Sequence, residues 1–185
     1  MSGSDAIQTG FADIFLPASR IPGLTAELVD ANGELVADIL DTARDAEPVP
    51  ASMLMDRKPE IDRYFGKPTI EAILAELQTT TDEWAMKTRA ELLQKSPLAL
   101  KATLAALQQV KSHRIASLEA ALTTEFRLCT HLFEHGEFPE GVRALLVDKD
   151  KQPRWNPATL ADVTPAMVEA MFAPVTPASD EPGLI

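Results

Sequence analysis

The motif with the clearest chemical potential is HLFEH, residues 131–135. On a helix, His131 and His135 would lie about one turn apart with the Glu134 carboxylate beside the second imidazole, which is the zinc arrangement of inverted zincin peptidases. A catalytic zinc also needs a third protein ligand, and no acidic helix at a recognisable spacing supplies one. Gly136 follows directly, and histidines commonly face the free carbonyls of a helix end. We therefore predict no metal site and keep zinc chemistry as an alternative.

Three other side chains that could do chemistry are better explained by structural roles. Cys129 shares the apolar side of its segment with Phe126 and Phe133, so we expect it to be packed in the core rather than to act as a nucleophile. Ser96 precedes a proline and lacks a G-x-S-x-G setting, which predicts a helix N-cap. His113 is expected in a loop or at a helix end. No glycine-rich phosphate loop and no calcium loop occur in the sequence.

A basic cluster formed by Lys149, Lys151 and Arg154 lies within six residues and is followed by Trp155. These side chains are candidates to anchor a phosphate-bearing ligand or the carboxylates of a partner, with the indole covering apolar surface. In the alternative interpretation the lysines are surface residues that alternate with two aspartates, and the tryptophan pins a turn to the core. Both interpretations stay open at this point.

Composition excludes several classes of function. The 185 residues are 45% hydrophobic but only 5% aromatic, and the formal net charge is −11. Residues 1–62 hold twelve acids and four bases. Such an acidic chain is repelled by phosphate backbones and anionic lipid, so we expect neither nucleic acid nor a membrane as partner. The single cysteine, the absence of a signal-peptide pattern and the absence of a long apolar run predict a cytoplasmic protein.

The elements that must position these side chains are predicted to be mainly α-helical, because alanine and leucine dominate and β-branched residues are sparse. Pro68 opens a helix on which Ile70, Ile73, Leu74 and Leu77 form one buried face. Thr80 with Glu83 predicts a capping box, and Ser96 and Thr164, each before a proline, predict two further helix starts. The last of these helices should run to about Phe172. One long helix carries apolar residues along one side and ends near Gly136; these are Ile115, Leu118, Leu122, Phe126, Cys129 and Phe133. A short helix is predicted from Glu140 to Val147.

One segment has strand character, ADIFLP at residues 12–17, and no second strand accompanies it. A lone strand cannot satisfy its own backbone, so its neighbours would lie outside this sequence. The composition further predicts four parts along the chain. These are residues 1–46 with the strand and first helices, 47–66 as connector and short helix, 67–173 as the C-terminal helical region, and 174–185 as a flexible tail.

Most of the sequence, from about Asp5 to Phe172, resembles the C-terminal half of the 3-hydroxyisobutyryl-CoA hydrolases, a branch of the enoyl-CoA hydratase/isomerase (crotonase) superfamily. Five segments carry the resemblance in family order, and the last is the most specific: EGVRALLVDKDKQPRWNP, residues 140–157. The other four are SGSDAIQTGFADIFLPASRIPGL, KPTIEAILAEL, SPLALKATLAAL and LTTEFRLCTHLF. The resemblance implies the C-terminal helical portion of a crotonase-like fold, in which residues 12–17 form a late strand.

The resemblance also implies hydrolysis of acyl-CoA thioesters in valine breakdown, with coenzyme A entering as part of the substrate and no tightly bound cofactor. The family's catalytic carboxylates and oxyanion glycines belong to an N-terminal half that does not precede Met1, so no catalytic residue is assigned in this chain. That half, in the same gene product or a separate chain, is the expected partner, and self-association stays open. By analogy with the superfamily, Lys149, Lys151 and Arg154 are candidates to approach the nucleotide end of coenzyme A. The alternative is a non-catalytic helical module for oligomerisation or partner binding.

Overall fold

A computed structural model describes residues 1–46 and 48–175, and within these residues the regular structure is entirely helical. The eleven α-helices are α1 (Gly3–Gln8), α2 (Ile21–Asp30), α3 (Val36–Asp45), α4 (Met53–Asp56), α5 (Lys58–Phe65), α6 (Ile70–Leu77), α7 (Glu83–Leu92), α8 (Pro97–Lys111), α9 (Leu118–Glu134), α10 (Glu137–Val142) and α11 (Pro165–Ala170). Short 3₁₀ turns span Ala18–Arg20 and Leu160–Asp162, and a π-helical turn spans Arg143–Val147. The prediction of a mainly α fold is confirmed.

The predicted strand at residues 12–17 is wrong. This segment is irregular, and among the described residues the backbone of Asp13–Leu16 makes no backbone hydrogen bond. Side-chain packing holds it instead, because the Phe15 ring lies so close to Gly3 that a Cβ there would stand 3.2 Å from it. Apolar, β-prone residues form a strand only when a second strand completes the hydrogen-bonded ladder.

The chain divides into two compact units, Met1–Arg63 and Tyr64–Ile185. In the first unit, a buried carboxylate ties α1 to the start of α4. Asp5 accepts hydrogen bonds from the backbone N–H of Ser2 (2.8 Å), the hydroxyl of Ser52 (2.7 Å) and the backbone N–H of Leu54 (3.2 Å). These donors, led by Ser2, hold the pKa of Asp5 well below its usual value because they stabilise the charged form. Asp5 thus accepts hydrogen bonds from groups at the N-terminal ends of both α1 and α4.

Replacing Asp5 by asparagine is expected to destabilise the first unit at neutral pH and to flatten its response to acid. A free aspartate titrates near pH 3.9, so on acidification the unfolded chain takes up a proton before folded Asp5 does. The contribution of Asp5 is therefore complete above about pH 5 and declines progressively below about pH 4. Urea unfolding of the first unit, detected by hydrogen exchange in peptides from Met1–Arg63, measures the contribution of Asp5 to stability between pH 2 and 7. The exposed Asp13→Asn change is the control, and equal acid sensitivity of both variants would contradict the role of Asp5.

The second unit contains two hydrophobic clusters that share α8 as a neighbour. The first joins α6 and α7 with Tyr64, and its buried members are Tyr64, Ile70, Ile73, Leu74, Leu77 and Ala85. The second joins α8, α9 and the C-terminal segment, and its buried members are Leu98, Ala102, Leu128, Val163 and Met171. Lys101 on α8 connects neighbouring segments, because its Nζ pairs with Glu71 (2.8 Å) and donates to the Val163 carbonyl (3.3 Å). The predicted buried face of α6 is confirmed.

The two helix starts predicted at a serine or threonine before a proline are confirmed. Ser96 and Thr164 cap α8 and α11, accepting from the N–H groups three residues on, although α11 ends at Ala170, before Phe172. The predicted capping box at Thr80 is wrong: α7 is capped by Asp82, whose carboxylate accepts from the Ala85 N–H. Thr80 instead accepts from the Asp82 N–H, two residues on.

The remaining differences concern helix boundaries. Thr69 caps α6, so Pro68 precedes the helix instead of occupying its first turn. The predicted helix from Glu140 to Val147 is divided into the end of α10 and the π-helical turn. His113 follows α8 with a φ of 58°, in agreement with a helix-end position. The four predicted parts of the chain stay a prediction, and residues 176–185 of the expected tail lie outside the described residues. No described helix is both long and apolar enough to cross a membrane.

Candidate functional site

The block at residues 140–157 is organised by one arginine. The Arg143 guanidinium donates two hydrogen bonds to Glu140 (2.7 and 2.9 Å), one each to Asp148 (2.6 Å) and Asp150 (2.8 Å), and one to the Gln152 carbonyl (3.1 Å). These partners raise the pKa of Arg143, with Glu140 the largest cause. The guanidinium in turn lowers the pKa of Glu140 to about 2 and also lowers that of Asp150. Arg143 therefore stays charged and holds the acidic side chains of this segment together.

The backbone of the same block is irregular in a way that directs side chains outward. The π-helical turn closes with the Asp148 N–H donating to the Arg143 carbonyl (2.8 Å), and the Lys151 N–H donates to the Ala144 carbonyl (3.0 Å). Lys149 and Lys151 both adopt φ angles of 55°, in the left-handed region that residues with a Cβ seldom occupy. The Arg143 network and these backbone bonds compensate for that local strain.

The predicted basic cluster is exposed on this turn. Within the described part of the chain, the side chains of Lys149, Lys151 and Arg154 form no ion pair or hydrogen bond, and all three residues are exposed. The two aspartates that alternate with the lysines pair with Arg143 instead. Arg154 also interacts electrostatically with Glu140, but none of the three cations is held in an ion pair, so each can meet an anion, as the functional interpretation requires.

Trp155 fixes the end of the block to the turn that follows α7 and to α10. Its Nε1 donates to the Gln94 carbonyl (3.0 Å), and its ring packs on Gly141, where an added Cβ would lie 3.4 Å away. The glycine of the EGVR motif thus allows the close approach of the indole. The proposed pinning of this turn by the tryptophan agrees with these contacts.

An open, mostly apolar cavity of about 830 Å³ lies beside the block. Phe133, Phe138, Leu145 and Leu146 form much of its wall, and Trp155 contributes to it. The polar residues of its lining include Gln94, Lys95, Ser96, Cys129, Glu137 and Lys151. Its size falls within the range of ligand cavities, and its open shape also suits a polypeptide segment.

Glu137 is the unusual member of that lining. It is only 5% exposed. Its Oε1 accepts from the Asn156 N–H (3.3 Å) and lies 3.8 Å from His135 Nδ1, while its Oε2 is buried with no hydrogen-bond partner among the described residues. A buried carboxylate oxygen without a donor is costly, so this group calls for an explanation.

The position of Cys129 differs from the prediction. Cys129 is exposed and lines the cavity, so it is not packed in the core. The same correction applies to much of the apolar side assigned to the long helix, because Leu118, Leu122 and Phe133 are exposed. The residue of α9 that is buried is Leu128, together with the partly buried Leu132.

The HLFEH motif forms helix-end contacts. His131 Nε2 donates to the Ala173 carbonyl (2.9 Å), and its Nδ1 lies 3.6 Å from Glu134. His135 is the C-cap of α9 and approaches Glu137 instead. Within the described residues no group of three potential metal ligands comes together. Both nitrogens of His131 thus have partners within the fold.

Comparisons with known proteins agree with the assignment made from the motifs. The sequence model of the family described as Enoyl-CoA hydratase/isomerase matches residues 1–172. The chain is similar to the mitochondrial 3-hydroxyisobutyryl-CoA hydrolase of Danio rerio (31% identity; 94% of this chain, 46% of the relative). It is also similar to the small ribosomal subunit protein mS47 of Arabidopsis thaliana (31%; 97% and 46%).

A solved structure extends this similarity to three dimensions. The carnitinyl-CoA dehydratase of Mycobacterium thermoresistibile superimposes with a TM-score of 0.80 at 37% identity, over 95% of this chain and 48% of that one. This chain thus spans about half the length of the relatives it matches. A family match over nearly the whole sequence, joined to the same helical architecture, shows that the chain belongs to the enoyl-CoA hydratase/isomerase family.

Proposed function

We propose that this chain is the C-terminal part of a 3-hydroxyisobutyryl-CoA hydrolase-like enzyme that acts on acyl-CoA thioesters in valine breakdown. One observation carries the proposal: nearly all of this chain is similar to about half of such a hydrolase. The acid–base pair that activates water and the amides that hold the thioester oxyanion then come from the other half. That half belongs to the same gene product or to a second polypeptide.

The contribution of this chain is to hold the substrate. The free cations Lys149, Lys151 and Arg154 suit the phosphates at the nucleotide end of coenzyme A, because cationic donors recognise phosphate oxygens strongly. Lys151 lines the cavity with apolar walls, so a charged and an apolar surface lie next to each other there. In an otherwise acidic chain, such a cluster is the place where an anion can bind.

Reversing the charges of Lys149, Lys151 and Arg154 to glutamate is expected to raise the Kd for coenzyme A by about tenfold or more, since each charge-assisted phosphate contact is worth on the order of 1 kcal/mol or more. Isothermal titration calorimetry at low and high salt measures the Kd for coenzyme A, and the Kd of the wild type should rise with salt. A triple variant of exposed lysines elsewhere, Lys58, Lys87 and Lys111, has the same charge change and is the control. Equal loss of affinity in both variants would contradict a local site.

The activity itself is tested with 3-hydroxyisobutyryl-CoA. This chain alone should release no free thiol above the buffer rate, because it lacks the acid–base pair. Adding the part of the Danio rerio hydrolase that lies outside the matched region should restore turnover. Rapid hydrolysis by the isolated chain would contradict the proposal that the catalytic groups come from the other half. The absence of turnover in a stable complex would contradict the proposed activity.

A non-catalytic role is the second candidate, and the relative named as a ribosomal subunit protein favours it. In that case the chain is a helical module that oligomerises or binds a partner. It should then unfold in one sharp transition as purified, whereas half of an enzyme should expose apolar surface and bind a hydrophobic dye.

For the location of the protein we propose the cytoplasm, because a single cysteine fits a reducing compartment; the Danio rerio relative is named mitochondrial.

A further inference from the structure

The turn between α2 and α3 contains an asparagine directly before a glycine, Asn32–Gly33. The chain has two asparagines, and the other, Asn156, precedes Pro157. The side-chain amide carbon of an asparagine can be attacked by the backbone nitrogen of the next residue, which closes a ring and releases ammonia. Proline has no backbone N–H and cannot supply this nucleophile. Of the two asparagines, only Asn32 can therefore lose its amide by this route.

Asn32 and Gly33 are the two central residues of a β-turn. The Glu34 N–H donates to the Ala31 carbonyl (2.8 Å), which closes the turn. The φ angles are 47° at Asn32 and 86° at Gly33, and two positive values in succession are typical of a type I′ turn. Asparagine and glycine adopt such angles at little cost, which is a structural reason for this pair.

The same turn leaves the reacting atoms open. Within the part of the chain that the structure describes, neither the Asn32 side-chain amide nor the Gly33 N–H forms a hydrogen bond. Both residues are exposed, and a Cβ added at Gly33 would meet nothing within 4 Å beyond its chain neighbours. Val29 and Leu35, on either side of the turn, are 69% and 68% exposed. No packed side chain therefore shields the nitrogen of Gly33 or the amide of Asn32.

We propose that Asn32–Gly33 is a site of spontaneous deamidation and that the products loosen the turn between α2 and α3. The Gly33 nitrogen forms a bond to Asn32 Cγ and loses its proton, while the bond from Cγ to the side-chain nitrogen breaks and ammonia leaves. Water then adds to either carbonyl of the cyclic imide and opens the ring. The products are aspartate and isoaspartate, in which the backbone continues through the side-chain carbons. Water is the only co-reactant.

The folded turn slows this reaction only modestly. Ring closure needs a rotation of the Asn32 backbone, and the hydrogen bond from the Glu34 N–H to the Ala31 carbonyl opposes that rotation. One such exposed bond of ordinary strength corresponds to a factor of about five in an equilibrium constant. Opening of a single exposed turn does not require the helices to unfold. The folded chain should therefore react about fivefold more slowly than the unfolded chain.

The products differ from asparagine in charge and in backbone length. Aspartate adds a negative charge just beyond the C-terminal end of α2, where the helix dipole is negative and Asp30 and Glu34 lie nearby in sequence. Isoaspartate adds one carbon to the backbone between the Ala31 carbonyl and the Glu34 N–H, so their hydrogen bond cannot keep its geometry. Hydrogen exchange at the Glu34 amide should accelerate by about fivefold once this bond is lost.

The experiment ages the full chain at mildly alkaline pH, folded and in urea, and follows its peptides by mass spectrometry. We expect the peptide with Asn32 to gain the mass of one deamidation and the peptide with Asn156 to stay unchanged. A protein isoaspartate methyltransferase with labelled S-adenosylmethionine identifies the isoaspartate. Asn32→Gln is the matched variant: it keeps an amide but must close a larger ring, so it should react at least about tenfold more slowly.

Three results would overturn the proposed site. They are an equal mass gain at Asn156, an unchanged rate in Asn32→Gln, or a folded chain that reacts more than about a hundredfold more slowly than the unfolded chain, since the fold would then protect Asn32. The comparison of Asn32 with Asn156 is made within one wild-type chain and does not depend on how a variant folds. Exchange at the Glu34 amide as slow in the aged chain as in the fresh one would contradict the loosening of the turn.

Discussion

Replacing Leu77 by alanine is expected to lower the free energy of unfolding of the second unit by about 3 kcal/mol, within the usual range of about 2–5 kcal/mol for fully buried leucines. Leu77 is 0% exposed and lies in the cluster formed by α6 and α7. The truncation removes buried methyl groups and leaves a cavity that the rigid helices can only partly close. Urea unfolding followed by tryptophan fluorescence measures the loss, because Trp84 packs against the same cluster.

Leu107→Ala is the matched control for this prediction. It makes the same chemical change on α8, but Leu107 is 62% exposed, so the expected change is within about 0.5 kcal/mol. A loss of equal size in the two variants would mean that burial at Leu77 does not set the stability of the unit. Because α6 packs on both α7 and α8, a confirmed loss would also show that this cluster holds the three helices together.

The core around Leu77 could be predicted from the sequence because its signals are local. Ile70, Ile73, Leu74 and Leu77 repeat at helical spacing, and the other apolar residues of this helix are only the small Ala72 and Ala75. Helix starts marked by a serine or threonine before a proline were predictable for the same reason. The start of α7 was not, since Thr80 and Asp82 both offer N-cap oxygens and the spacing alone does not choose between them.

The orientation of α9 depends on tertiary packing and could not be read from periodicity. Apolar residues occupy more than one side of this helix, and Leu128 faces the core while Phe133 is exposed. The strand predicted at residues 12–17 failed because strand formation depends on a neighbour, which no pattern within the segment can supply. The burial of the Glu137 carboxylate could not be foreseen either, since it follows from the contact of α10 with the turn at Asn156.

The Arg143 network had a signal that could have been found in the sequence. Glu140 precedes Arg143 by three residues, the spacing of an ion pair within one helical turn. Asp148 and Asp150 follow closely, but they alternate with lysines, and the spacing alone does not show which cation they pair with. The π-helical turn brings both aspartates back to Arg143 instead, which leaves the lysines free. The same irregular turn therefore decides which charges of this block can meet a ligand.

Replacing Arg143 by glutamine is expected to release the segment from Asp148 to Arg154. Three carboxylates lose their shared cation and then repel one another, and the Gln152 carbonyl loses a donor. Hydrogen exchange at the backbone amides of Gln152 and Arg154, which donate to Asp150 and Glu140, should accelerate by about tenfold or more. Mass spectrometry of peptides that span 143–157 measures it. Arg44→Gln, which breaks an exposed pair with Asp41, is the control and should leave this segment unchanged.

The pH dependence of the same segment gives an independent test. Because folded Glu140 has a pKa of about 2, below that of a free glutamate, its contribution is complete above about pH 5 and declines progressively below about pH 4. Arg143→Gln should abolish this acid response. Arg143→Lys separates charge from geometry, since lysine keeps the charge but cannot form the planar, forked pair with Glu140. Protection as strong in Arg143→Lys as in the wild type would contradict the role of the fork, because charge alone would then suffice to hold this turn and to present its three free cations.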